Sequence, residues 1–160
     1  MAKEDVLFSE FLRITGYLNS KLDITPILFG SLGLQQVSGV PLYPQDIDIL
    51  VPLVWLQDEW SVLKNTLEEL GYQLFDLHEH EFRKGTVKAA FAFEEDLRGF
   101  AAVDHRSLEV MTYERCRYRQ LSLRDFLNVY TASVTDGYRR TKNNNKDVQK
   151  IELLTTLLGD

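Results

Sequence analysis

A chain of 160 residues, 44% apolar and 26% charged, has the size and composition of one ordinary globular domain, expected to span 1–160 with room for a real core. The net charge of -6 argues against nonspecific binding to a nucleic-acid backbone, and no apolar run reaches the length of a membrane span. The single cysteine, Cys116, excludes an internal disulfide and a cysteine-based zinc site; the opening MAKEDVLFSE lacks a signal peptide's apolar core, so the expected location is the cytoplasm.

In chain order, Leu7, Phe11, Ile14 and Leu18 recur at helical spacing and predict a first helix over about 4–19. Ile27, Leu28 and Phe29 form a short strand that ends in Gly30-Ser31. After a loop rich in Gly, Pro and Gln comes a second strand, Asp46-Ile47-Asp48-Ile49-Leu50-Val51, closed by Pro52. Trp60, Leu63, Leu67 and Leu70 make the stripe of another helix, with Asp58 near its start and Gly71 after its end. Residues 72–82 and 86–93 read as two strands joined by a turn at Gly85, and 108–113 as one more. The rest is helical, over about 122–158. Ser122 is the expected N-cap with Asp125 three residues on; Leu123, Phe126 or Leu127, Tyr130, Val134 and Tyr138 line one helix, and Val148, Ile151, Leu154 and Leu158 the last. The order predicts an α+β fold, a mixed β-sheet with helices packed against it.

The unusual chemistry lies in residues 27–52. Residues two apart on a strand share a face, so Asp46 and Asp48 are expected side by side. Aspartate is depleted in strands, and two like charges held together are costly unless a cation or a proton relieves them. A divalent metal is the usual relief. Gly30 lets backbone approach a ligand closely, and exposed amides beside the Ser31 hydroxyl suit phosphate oxygens.

The order Phe29-Gly30-Ser31, spacer, Asp46-Ile47-Asp48 resembles the signature of the nucleotidyltransferase superfamily, which includes DNA polymerase beta, the antibiotic nucleotidyltransferases and the minimal nucleotidyltransferases. The spacer is a few residues longer than is common there. The resemblance implies a nucleotidyltransferase fold in which Gly30 and Ser31 hold a nucleoside triphosphate and Asp46 and Asp48 bind Mg2+. The implied reaction moves a nucleoside monophosphate onto a hydroxyl or amine of an unknown small-molecule or protein acceptor. Family enzymes commonly add a third carboxylate from a later strand. Here the strand TVKAAFAF offers none, and Glu94, which shares a face with Ala90 and Ala92 if that strand extends, is the expected catalytic candidate, with Asp104 an alternative. A fold that binds nucleotide or protein without turnover is the competing reading.

Two further patterns bear on function. His78 and His80 alternate with Glu79 and Glu81, which reads as a charged edge strand protected against aggregation rather than as a metal site. From Arg139 to Lys150 five basic residues face one acid, a local +4 on a chain whose remainder carries -10. Such a segment suits a small anionic ligand. Lys142 or Lys146 is therefore expected at the rim of the nucleotide cleft. Two other families that use Asp-x-Asp fit less well: the aspartyl-nucleophile phosphatases need a further Thr or Val two places on, and sugar-nucleotide glycosyltransferases have larger domains.

Overall fold

The computed structural model describes the backbone of residues 3–135 and 137–159 and the side chains of 5–134 and 146–159. Among the described residues fifteen elements follow one another, and the sheet comes first because it positions everything else. Its seven strands are β1 (Ile27–Phe29), β2 (Ile47–Val51), β3 (Gln73–Asp76), β4 (Glu81–Lys84), β5 (Val87–Phe93), β6 (Glu109–Tyr113) and β7 (Cys116–Gln120), in the spatial order β3-β4-β5-β2-β1-β7-β6. The sheet is mixed. β1 runs antiparallel to β2 and parallel to β7, while β2 runs parallel to β5. The helices are α1 (Lys3–Leu22), α2 (Gly30–Ser38), α3 (Trp60–Glu69), α4 (Asp96–Ala101), α5 (Leu123–Thr135) and α6 (Gly137–Leu158). This is the α+β architecture expected from the pattern.

Strand alternation divides the core into two layers. Leu28, Ile47, Ile49, Val51, Ala89, Phe91 and Tyr118 point to one face, where Leu7, Phe11, Ile14 and Leu18 of α1 and Leu63 and Leu67 of α3 cover them. Ile27 and Leu50 point to the other, against Leu97 and Ala101 of α4, Phe126, Val129 and Tyr130 of α5, and Leu154 of α6. Each fully buried Leu, Ile or Phe is worth roughly 1.5–3 kcal/mol, so the two layers are the main source of stability. Asn19 ties the first layer to the sheet: its amide donates to the carbonyls of Ile24 and Arg117 and its oxygen accepts from Arg117 N–H at 2.8 Å.

Several local expectations are corrected. Gly30–Ser38 is a helix rather than the start of a loop, because Leu32 and Leu34 each find a core layer to enter. Residues 77–80 form a turn between β3 and β4, so His78 and His80 do not share a strand face: His78 is exposed, while His80 stands edge-on to Trp60 with ring centroids 5.0 Å apart. Neither β7 nor α4 was expected. On α6 the buried side runs through Asp147, Ile151 and Leu154, and Val148 is exposed. Tyr138 lies outside the described side chains. The cap at α5 is as expected, with Asp125 N–H donating to Ser122 Oγ at 3.1 Å and Ser122 N–H to Asp125 Oδ2 at 3.2 Å. Among the described residues, no helix is long and apolar enough to cross a membrane.

Candidate functional site

The cleft is built where β1 hands over to α2. Phe29 is extended (φ -119°, ψ -177°) and lies opposite Asp48 in the antiparallel register. The chain then turns through Gly30 at φ +66°, a left-handed conformation that side chains rarely adopt. A second constraint acts at the same residue. A Cβ on Gly30 would collide with Oδ2 of Asp48 and stand 3.0 Å from its Cγ, so the carboxylate is packed directly on the glycine backbone. One turn later, a Cβ on Gly33 would come within 2.7 Å of the Leu28 carbonyl oxygen and 3.1 Å of Phe126 Cζ. The two glycines thus let α2 sit tightly on the strand that feeds it, with its first amide groups beside Asp48.

The N-cap residue of α2, Phe29, offers no side-chain cap. The amides of a helix's first turn have no partner within the helix and, reinforced by the helix dipole, favour an anion. Ser31 adds its hydroxyl, which accepts a hydrogen bond from Lys150 Nζ at 2.8 Å. That ammonium also lies 5.0 Å from the ring centroid of Tyr130, which orients it on the α5 side of the cleft. Asp48 is half-buried on β2, and Asp46 is exposed in the bend one residue before that strand. A carboxylate, a set of amides, a hydroxyl and an ammonium therefore share one end of the sheet.

The expected third carboxylate is elsewhere, and Glu94 is corrected on geometry. Asp48 pairs with Ala90, whereas Glu94 N–H donates to Val51 O at 2.9 Å; Glu94 thus lies four residues further along β5, about 13 Å at ~3.3 Å per residue. It belongs to the other end of the sheet. Burial first, and the neighbouring Glu95 second, push its carboxyl up to about 7, against an opposing pull from Arg119. Asp104 is exposed and caps the short turn that follows it through Arg106 N–H. Among the described residues no group of three His, Cys, Asp or Glu side chains could hold a metal ion.

In the basic tail Lys146 is exposed and Lys142 lies outside the described side chains, while the lysine seen to contact Ser31 is Lys150, which the sequence reading did not single out. The signal was present in the helical phase. Measured from buried Leu154 at about 100° per residue, Lys150 lies only about 40° away and Lys146 about 80°.

No family model matches the chain. The uncharacterized protein YnaI of Bacillus subtilis (strain 168) is 45% identical to it over 152 residues, which cover 95% of this chain and 97% of YnaI. The chain belongs to the YnaI family. Among solved structures, an antigenic nucleotidyltransferase-like protein from Paracoccidioides brasiliensis superposes with a TM-score of 0.62, at 14% identity, over 96% of this chain and 77% of that one. At that identity the likeness speaks for the fold alone. The fold of this YnaI relative is therefore nucleotidyltransferase-like, with Gly30 and Ser31 at the start of α2, Asp46 just before β2 and Asp48 on it.

Proposed function

We propose that this protein binds a nucleoside triphosphate together with Mg2+ in the cleft at the ends of β1 and β2. The observation that carries the reading is the seating of the Asp48 carboxylate on Gly30, beside the start of α2 and the Ser31–Lys150 contact. Mg2+ is usually bound through one or two carboxylates plus phosphate oxygens, and the hard oxygens of Asp46 and Asp48 fit that role. When bound, the ion would supply positive charge against the phosphates. The α2 amides, Ser31 Oγ and Lys150 Nζ are the donors available to phosphate oxygens.

Binding without turnover is the first reading, because no third carboxylate joins Asp46 and Asp48 among the described residues. Nucleotidyl transfer is the second, favoured by the small side chains of β5 beside Asp48, where its partner Ala90 is half-buried and Ala92, two residues on, is exposed. In that reaction an acceptor oxygen or nitrogen forms a bond to the α-phosphorus. The bond from that phosphorus to the bridging oxygen breaks, pyrophosphate leaves with the electron pair, and the acceptor's proton passes to water.

Thermal unfolding tests the binding. Mg2+ with a triphosphate at about a hundred times its dissociation constant should raise the midpoint by roughly 5–10 °C. The Asp46→Asn, Asp48→Asn double variant should lose that shift while its unliganded midpoint stays within a few degrees of the parent. An unchanged shift in the double variant would remove the carboxylates from the site. Pyrophosphate release with a panel of hydroxyl and amine acceptors then separates binding from transfer.

A further inference from the structure

The described sheet ends in two outer strands, β3 and β6, and they are guarded unequally. β3 is four residues long, and its pairing with β4 shifts register between Leu74 and Asp76, an irregularity of the kind that keeps an edge from templating another chain. β6 has no such shift. Its residues, Glu109-Val110-Met111-Thr112-Tyr113, pair with β7 in unbroken register, include neither Lys nor Pro, and are all exposed except the half-buried Met111. Val, Thr and Tyr are strand formers, and here they stand on an open edge.

The hydrogen bonds of β7 fix which groups of β6 face outwards. Arg117 turns its backbone away from β6, its N–H donating to Asn19 Oδ1 at 2.8 Å and its carbonyl accepting from Asn19 Nδ2 at 3.0 Å. Arg119 does likewise, its N–H donating to Pro26 O at 2.8 Å. Their register partners on β6 are Thr112 and Val110, and in an antiparallel ladder the two residues of such a pair both turn their backbone groups outwards. The N–H and C=O of Val110 and Thr112 therefore point off the edge of the sheet. The hairpin turn agrees: Glu114 and Arg115, at φ +49° and +73°, form a two-residue loop whose own bond closes on Tyr113 and Cys116, so Tyr113, Met111 and Glu109 are the residues bonded to β7.

A strand of the same sequence complements this edge. Laid antiparallel about Met111, a second copy brings its Thr112 opposite Val110 and its Val110 opposite Thr112, so the outward groups of each strand meet those of the other. The two Met111 side chains meet on the twofold axis in a non-hydrogen-bonded pair, where side chains come closest. Charge agrees as well. Glu109 faces Tyr113 of the second copy, with Arg115 of that copy on the diagonal, within reach of a long side chain. The arginines of β7, Arg117 and Arg119, stand three strand spacings from those of the second copy, roughly 14 Å, which is beyond the screening length at physiological salt.

We propose that β6 is a dimerisation edge, through which two copies of this chain join antiparallel at Val110 and Thr112 and continue one sheet into the next. Sedimentation velocity of the full chain between about 1 and 300 µM, a range that brackets weak interfaces, tests it. The mass should rise with concentration from 18.5 kDa towards twice that value and no further, since a twofold contact closes on itself. Thr112→Pro removes an outward N–H without touching the ladder to β7 and should weaken the dimer about tenfold or more, whereas Thr112→Val should retain it. Glu109→Arg and Arg115→Glu should each weaken association several-fold, and the two together should restore it. Should the proline variant lose its cooperative thermal transition, the charge exchange decides alone. A monomer throughout the range overturns the proposal. So does a dimer unchanged by a folded Thr112→Pro, a mass that grows past two copies, or a double charge variant no stronger than the single ones.

Discussion

Gly30 shows how much a single position can be asked to do. Its φ of +66° and the contact of its missing Cβ with the Asp48 carboxylate are separate constraints, so Gly30→Ala incurs both backbone strain and a displaced acid. The expected cost is about 2 kcal/mol or more, measured as a lowered urea midpoint, with triphosphate stabilisation lost as well. Glu94 is a titrating residue outside the cleft. Its carboxyl, raised to about 7 by burial, holds a proton in the folded state that the unfolded chain has already released. The folded protein binds more protons between about pH 4.5 and 7, so stability falls as pH rises through that window. Glu94→Gln removes the charge and should stabilise the protein by about 1–2 kcal/mol at pH 8, and by little at pH 4, in parallel urea titrations. A variant that gains equally at both pH values would show that burial is not what perturbs the group. Asp46, Asp48 and Gly30-Ser31 stand out in the sequence because aspartate is depleted in strands and glycine admits a left-handed turn. Glu94 was misplaced because sequence shows the parity of a strand position, not how far along the strand it lies.

At the scale of elements, two segments were readable for opposite reasons. The start of α5 was legible from Ser122 and Asp125, which satisfy each other's amides; Ser122→Ala should cost about 1 kcal/mol in thermal unfolding. The hairpin of β3 and β4 was run together as one strand, since alternation of His and Glu continues through the turn where the backbone does not. β7 escaped because its apolar positions are few: Tyr118 is buried while Arg117 is exposed and Arg119 half-buried, a pattern that reads as a polar loop. Helix α6 matters most for function. Lys150→Met keeps the aliphatic stem against Tyr130 but removes the charge and the bond to Ser31. Triphosphate binding should weaken by about 1–3 kcal/mol, and by more at low salt than at high, whereas Lys146→Ala, on an exposed position, should change it by far less. Equal effects of the two substitutions in calorimetry would return the role to the tail as a whole.

For the whole molecule, the likeness of its backbone to a nucleotidyltransferase-like protein coexists with low identity, so the fold is carried by the two core layers rather than by particular side chains. The layers were legible as periodicity; their unequal extent was not, because alternation alone cannot say which face a helix will cover. Sequence distance also sets a clock. Ser31 and Lys150 are separated by 119 residues, and β1 must wait for β7 to complete its parallel pairing. At roughly 5–20 residues per second of synthesis, the hydroxyl emerges about 6–24 s before the ammonium that will hold it. During that interval a nascent chain can form α1 and, once β2 has emerged, the antiparallel β1–β2 pair, yet it lacks the Lys150 donor of the cleft. Ligand-assisted folding is thus open only to chains whose synthesis has passed Lys150.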